Sequence, residues 1–179
     1  MPSGNLKPPL RLSKIAAMTT PSIRPATSAD LPRVRDLAYR IWPEAFAGVL
    51  PADRIGPMLD EIYALETLDA DIAERDHRYW LAGTAEADLG FGSAYRADGR
   101  VWIKKLYLLP ESRGLGLGKG LIAAARAHFG EDLPVALFVN DGNARAIAFY
   151  RSQGFEVESH VPVQMGPFRF TDYVMVKRP

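Results

Sequence analysis

Leu106-Tyr107-Leu108-Leu109-Pro110-Glu111-Ser112-Arg113-Gly114-Leu115-Gly116-Leu117-Gly118-Lys119-Gly120 passes from an aliphatic strand pattern, stopped at Pro110, through an Arg/Gly loop into a helix pattern. Glycines alternate at 114, 116, 118 and 120. Without Cβ atoms a backbone can approach a ligand closely and turn its N–H groups outward. The start of a helix adds unpaired donors and a partial positive charge, which together suit a phosphate or pyrophosphate. The competing reading is a helix start whose small residues serve close packing.

Three familiar patterns do not fit. A P-loop needs Gly five residues before the pair Gly118-Lys119 and Ser or Thr after it, where this chain has Arg113 and Gly120. The dinucleotide pattern needs Gly where Lys119, Leu121 or Ala123 stands. Gly-x-Ser-x-Gly, the hydrolase elbow, is absent.

Upstream, Val101–Leu109 reads as the longest strand, joined by the tight-turn dipeptide Asp98-Gly99 to a strand over Leu89–Arg96. The turn Glu86-Ala87-Asp88 links that strand to Tyr79–Ala82. Ile23–Ala26 reads as a short edge strand, followed by a Thr27-x-x-Asp30 capping pattern. Leu31, Val34, Leu37, Ala38 and Ile41 then recur at helical spacing. A second helix pattern (Ile55, Met58, Leu59, Ile62, Leu65) follows a Pro-bounded loop Trp42–Pro51, and a weaker third covers Leu68 to Glu74.

Downstream, Gly116–Phe129 reads as a helix with Leu117, Leu121, Ala124, Ala125 and His128 on one face and Gly130 just past its end. Val135–Val139 is a short buried strand. Asn143–Gln153 is a helix with Ile147, Ala148 and Phe149 inward and Gly154 past its end. Phe155–Val161 and Phe170–Lys177 are the last strands, joined by a loop with Pro162, Gly166 and Pro167. One helix separates Val101–Leu109 from Val135–Val139, so those two can pair in parallel through a crossover. The rest favour hairpins. The expected class is α/β (mixed α+β), with a single mixed, mostly antiparallel sheet and helices on both faces.

The 179 residues suit one domain. Lys+Arg is 22 against Asp+Glu 21, a net charge of +1, which gives no broad field for nucleic acid or an anionic membrane; any anion site is local. No basic stripe carries interleaved aromatics, so no nucleic acid partner is expected. Without cysteine there are no disulfides, thiolate metal sites or Cys nucleophile. That composition fits a reducing compartment, so the expected location is cytoplasmic. His77, His128 and His160 are too far apart in sequence to suggest a metal site. No apolar run approaches the ~18 residues of a membrane span. Residues 1–21 carry Lys7, Arg11 and Lys14 but no acid, and Pro8-Pro9 interrupts any helix. They read as a flexible leader or an upstream start, with Met18 as the native initiator, ahead of a folded domain over 22–179.

Arg113-x-x-Gly116-x-Gly118 after Leu106-Tyr107-Leu108 resembles the acyl-CoA-binding motif of the GCN5-related N-acetyltransferases, the GNAT superfamily. A second block, Asn143-Ala144-Arg145-Ala146-Ile147-Ala148-Phe149-Tyr150-Arg151-Ser152-Gln153-Gly154-Phe155, resembles the family's Asn-x-x-Ala-x-x-x-Tyr-x-x-x-Gly-Phe segment. Its Asn and Tyr stand about two helical turns apart, on one face. The resemblance covers about residues 22 to 178. It implies the GNAT fold, in which the central parallel pair splays into a V that holds acetyl-CoA as acyl donor. Backbone groups of Leu106, Tyr107 and Leu108 would then pair with the pantetheine amides. N–H groups from Gly114, Leu115, Gly116, Leu117, Gly118 and Lys119 would bind the pyrophosphate. Arg113 would meet CoA phosphates or cap the loop, as would the Lys119 side chain if it is not merely solvated. The Asn143 side chain would contact the CoA arm, and the Tyr150 phenol would be the general acid. No metal is implied.

The expected reaction is direct attack by the primary amine of a small molecule or amino compound. An alkyl ammonium has a pKa near ~10.4, so only about one molecule in 10³ is neutral at pH 7 and its proton needs an acceptor. A backbone N–H at Leu108 would stabilise the oxyanion and Tyr150 would protonate the leaving thiolate. The plain alternative for Tyr150 is a core tyrosine beside Phe149. Relatives that acetylate protein N-termini often carry Glu five residues before the Asn. Here that position is Phe138, read as an apolar residue on a buried strand, so the proton acceptor stays open among Glu44, Glu86, Glu111 and Asp172. In this fold Trp42–Pro51 and Pro162–Phe168 would frame the acceptor mouth, with Trp42, Phe46, Met165 and Phe168 as an apolar rim. His77 and His160 read as surface residues. Two alternatives remain beside the enzyme: a non-catalytic acyl-CoA sensor, and an N-acyltransferase for a longer acyl-CoA. Family members often form a homodimer, though the sequence marks no exposed apolar surface for one.

Overall fold

The computed structural model describes residues 20–165 and 168–179, without the Met165 side chain. The expected leader, except for Thr20 and Pro21, lies outside the described residues, as do Gly166 and Pro167. Strand β1 (Ser22–Ala26) lies at one edge of the sheet, where Pro25 is tolerated because its missing N–H faces no partner. A 3-10 turn at Ser28–Asp30 leads into α1 (Leu31–Ala45). The Asp30 carboxylate accepts the Thr27 backbone N–H at 3.0 Å and both terminal nitrogens of Arg24 at 2.8 and 3.1 Å, so the capping pattern does form. Helix α1 buries Leu31, Val34, Leu37, Ala38, Ile41 and Trp42. It runs through Pro43, so the loop expected from Trp42 shrinks to 46–51. Burial of Trp42, whose Nε1–H donates to the Tyr63 hydroxyl at 3.2 Å, holds the turn that Pro43 weakens. Helices α2 (Ala52–Ile62) and α3 (Leu65–Ala73) follow.

Strands β2 (Arg78–Gly83), β3 (Asp88–Ala97) and β4 (Arg100–Leu108) form a meander. Asp98 and Gly99 take φ of 51° and 71°, the type I′ combination that matches strand twist, so this hairpin forms as expected. Helix α4 (Leu117–Phe129), strand β5 (Val135–Asn140), helix α5 (Ala144–Ser152) and strands β6 (Glu156–Met165) and β7 (Phe168–Lys177) complete the chain. The seven strands lie in the order β1-β2-β3-β4-β5-β7-β6. Only β4 and β5 are parallel. The sheet is the expected mixed one.

Helices cover both faces. Leu117, Leu121 and Ile122 of α4 and Ile147 and Tyr150 of α5 pack on Trp80, Val101, Ile103, Leu137 and Met175. Helices α1, α2 and α3 pack on the opposite face against Tyr79, Leu81 and Phe91. On that second face, beyond β4, Ala136, Val174 and Val176 form a small cluster with Trp102 and Val161 that no helix residue joins. No helix among the described residues is long and apolar enough to cross a membrane.

Several local expectations are corrected. Phe138 is 50 % exposed, its ring stacked on Trp102 at 5.1 Å, because it points to the face without a helix. An exposed apolar surface therefore exists where none was read. In α5, Ala148 is exposed and Tyr150 takes the inward place. In α4, His128 is exposed rather than inward. His77 is buried, stacked on Tyr95 at 4.7 Å. Pro162 lies inside β6 rather than in a loop, tolerated because β6 is the other edge strand.

Candidate active site

Strands β4 and β5 pair only at Val101↔Val135, Trp102↔Ala136 and Ile103↔Leu137. Beyond those rungs β4 continues to Leu108 and β5 to Asn140 with a gap between them. The divergence has a local cause. Against β3, the register passes from Ala94↔Ile103 to Ser93↔Lys105, so Lys104 is an extra residue that bends β4. Each strand keeps its outer partner: Gly90↔Leu108 on one side, Asn140↔Asp172 on the other. Each therefore presents one unpaired backbone edge to the gap. The Leu109 N–H donates to the Leu89 carbonyl at 2.8 Å. By antiparallel alternation Tyr107 also bonds toward β3, while the backbone groups of Leu106 and Leu108 point into the gap. Of the three residues expected to offer backbone groups there, Tyr107 offers its side chain to one face instead. Two facing free edges suit an extended amide chain laid between them like a strand.

The gap leads to the glycine loop. A 3-10 turn at Pro110–Ser112 is tied by the Ser112 hydroxyl, which donates to the Leu109 carbonyl at 2.7 Å. Gly114 and Gly116 take φ of +80° and +71°, and a Cβ on either would meet nothing within 4 Å. Gly116 caps α4, whose first bond runs from the Gly120 N–H to the Gly116 carbonyl at 3.0 Å. The N–H groups of Leu117, Gly118 and Lys119 precede that ladder and point out of the helix start. Gly118 and Gly120 are different. A Cβ at 118 would come within 2.8 Å of Phe149 and one at 120 within 2.9 Å of Ile23. The packing reading thus holds for Gly118 and Gly120, while Gly114 and Gly116 take left-handed loop positions with open space beside them. Leu115 is half-buried and Leu117 buried, so each has only its backbone to offer. Arg113 reaches Glu44 at 3.5 Å, both side chains exposed, and Lys119 is exposed.

Asn143 caps α5, its Oδ1 accepting the Ala146 N–H at 3.0 Å, which leaves its amide NH₂ free to donate elsewhere. Tyr150 is buried between Phe149 and Phe155, ring centroids 5.3 and 5.6 Å away. Among the described residues its hydroxyl has no hydrogen-bond partner. Burial first, and Tyr107 second, push its pKa above the ordinary phenol value, so it holds its proton.

On the opposite face the Tyr107 ring lies 6.2 Å from Trp42, 6.5 Å from Phe46 and 5.7 Å from Phe91. Phe168 and Phe170 of β7 pack into the same cluster. Of the expected rim, Trp42 is a buried core residue, while Phe46 and Phe168 are partly exposed; the Met165 side chain lies outside the described residues. Burial and the charge of Asp172 push the Tyr107 phenol up to about 12. Of the four open carboxylates, Glu44 pairs with Arg113 and Glu111 with Arg40 at 3.6 Å, all exposed. Glu86 is exposed in the β2–β3 turn, its backbone N–H donating to Thr84 Oγ1 at 3.3 Å. Asp172 alone lies on a strand beside the gap.

A buried polar group stands behind β4 that periodicity did not reveal. The Asp71 carboxylate accepts the Tyr79 hydroxyl and an Arg75 N–H, both at 2.7 Å, and the Lys105 ammonium at 3.4 Å. His77 Nδ1 lies 3.6 Å from it, just beyond hydrogen-bond length. The Lys104-Lys105 pair in an otherwise apolar strand was the one available signal.

Residues 33–155 match the family model described as the acetyltransferase (GNAT) family. An uncharacterized N-acetyltransferase of Mycobacterium tuberculosis is 38% identical over 93 residues, which cover 50% of this chain and 59% of that relative's length. A spermidine N(1)-acetyltransferase of Thermoplasma acidophilum is 27% identical over 142 residues, covering 76% of this chain and 88% of the relative. The crystal structure of the PaiA N-acetyltransferase from the same organism, in complex with coenzyme A, superposes with a TM-score of 0.75 at 24% identity, covering 89% of this chain and 99% of that one.

Proposed function

The chain belongs to the acetyltransferase (GNAT) family, and from that premise we propose that it moves an acetyl group from acetyl-CoA to the primary amine of a small molecule. The observation that carries the reading is the gap itself. A bulge at Lys104 parts β4 from β5, and the parted strand feeds a loop with two left-handed glycines at the start of α4. Pantetheine amides would pair with the free edges, and the pyrophosphate would take the N–H groups of the loop and helix start. The Asn143 amide would donate to the CoA arm.

In the reaction the neutral amine nitrogen attacks the thioester carbonyl, a C–N bond forms, and the oxyanion takes the gap-facing N–H of Leu108. The C–S bond then breaks and the Tyr150 O–H donates to the departing sulfur. Overall one ammonium and one thioester give an amide, a thiol and one proton. The raised pKa of Tyr150 keeps its proton in place at neutral pH. A small amine is the favoured acceptor because the spermidine acetyltransferase aligns over most of both chains.

Titration calorimetry with CoA, followed by thiol release from acetyl-CoA across a panel of primary amines that includes spermidine, tests the reading. Binding with turnover supports it. Binding without turnover across the panel replaces it with the sensor reading, and no heat with CoA removes both. Competition by longer acyl-CoAs fixes the acyl length.

A further inference from the structure

Resting on the acetyltransferase reading, we infer that Asp172 receives the ammonium group of the acceptor, so that the protein takes cationic amines carried on uncharged carbon skeletons. Asp172 sits opposite Asn140 on the last rung of the β5–β7 pair, three residues beyond the last β4–β5 rung at Leu137. It shares the sheet face of Tyr107, close enough for its charge to act on that phenol. Tyr107, Phe46 and Phe170 belong to the ring cluster on that face. Its carboxylate is part-buried and, among the described residues, accepts only the Asn140 amide, at 3.4 Å. Among the described residues no Arg, Lys or His lies within ion-pair distance of it, although 13 such pairs form elsewhere in the molecule. Its neighbour Asp141 is engaged by His160 at 3.0 Å.

A carboxylate taken partly out of water without a cation is costly unless a cation arrives. Burial first, and the charge of Asp141, raise its pKa, while the Asn140 hydrogen bond lowers it. Aromatic faces beside a carboxylate favour an ammonium, whose charge both groups attract. An acceptor with its own carboxylate near the amine would meet repulsion from Asp172 and Asp141. The inference thus names a class: alkyl amines and polyamines rather than α-amino acids.

The test is steady-state kinetics of the full chain and its Asp172→Asn and Asp172→Glu variants with an alkyl primary amine, with CoA affinity measured by calorimetry. Losing a charged contact should raise KM for the amine by roughly tenfold or more in Asp172→Asn, leave kcat within about threefold and leave CoA affinity unchanged, with Asp172→Glu recovering much of the loss. An unchanged KM, a loss in kcat alone, or a weakened CoA complex overturns the inference while wild-type turnover keeps the acetyltransferase reading intact. A wild-type protein that acetylates no amine removes that reading, and the inference with it.

Discussion

Phe149 on α5 occupies the space where a side chain on Gly118 of α4 would begin: a Cβ there would come within 2.8 Å of its Cζ. The two helices share one face of the sheet, and this contact sets how closely the loop-bearing helix approaches the helix that carries Tyr150. Gly118→Ala should destabilise the fold by about 1–3 kcal/mol through overpacking, with Phe149→Leu in the same chain recovering part of it. Gly116→Ala should also destabilise, by about 1–2 kcal/mol, but from left-handed backbone strain, so Phe149→Leu should restore nothing. Urea unfolding of the two double-mutant cycles separates the mechanisms; equal rescue in both would contradict the division of the glycines into loop and packing pairs.

Tyr150→Phe removes a hydroxyl that has no hydrogen-bond partner among the described residues, so the fold and CoA affinity should hold. Turnover should fall by about 10²–10⁴ if the phenol supplies the proton. Because the folded pKa is raised, the phenol stays protonated at least to pH ~10, and the wild-type rate should show no alkaline loss from Tyr150 below that. Thiol release followed across pH for both proteins checks this; undiminished turnover in the variant would return Tyr150 to a packing role.

Local signals were legible and long-range ones were not. Asp98-Gly99 needs only its own φ angles to turn, and Asn143 only the N–H three residues on, so both could be read from short windows. The divergence of β4 from β5 depends on a register shift between β3 and β4, which no window of either strand contains. Alternation along β5 shows that Phe138 and Leu137 face opposite ways, but not that helices cover only one of those sides there. His77 is buried because Tyr95 and Asp71, from two other elements, close over it. Pro162 reads as a breaker until the sheet order shows that it sits on an edge. Asp172 stood in the sequence as one of four open carboxylates, and its lack of a cation among the described residues shows only in three dimensions.

Asp71 holds the buried group behind β4 together. Burial alone would raise its pKa, but His77, Lys105, Tyr79 and Arg75 together carry it well below the usual carboxylate range. The folded pKa is thus the lower one, so the stabilisation is complete above the unfolded value near ~4 and is lost progressively as pH falls below it. Asp71→Asn should cost about 3–5 kcal/mol at pH 7, because it strands the Lys105 ammonium away from water. Adding Lys105→Met should return much of that. Chemical denaturation of the single and double variants between pH 3 and 7 would show it, and an additive double variant would mean the pair is not coupled.

Arg113 and Glu44 meet at 3.5 Å with both side chains largely in water, so their pairing adds at most about 1 kcal/mol to stability. Its weight falls on ligand binding instead. Glu44 competes for the same guanidinium that a CoA phosphate at the loop would attract. Glu44→Gln should therefore tighten CoA and Arg113→Ala should weaken it, each by roughly three- to tenfold at low ionic strength. Both effects should shrink in ~1 M salt, where screening acts over about 3 Å. Calorimetry at the two salt concentrations decides the matter: if Glu44→Gln leaves CoA affinity unchanged at low salt, Arg113 caps the loop and does not reach the phosphates.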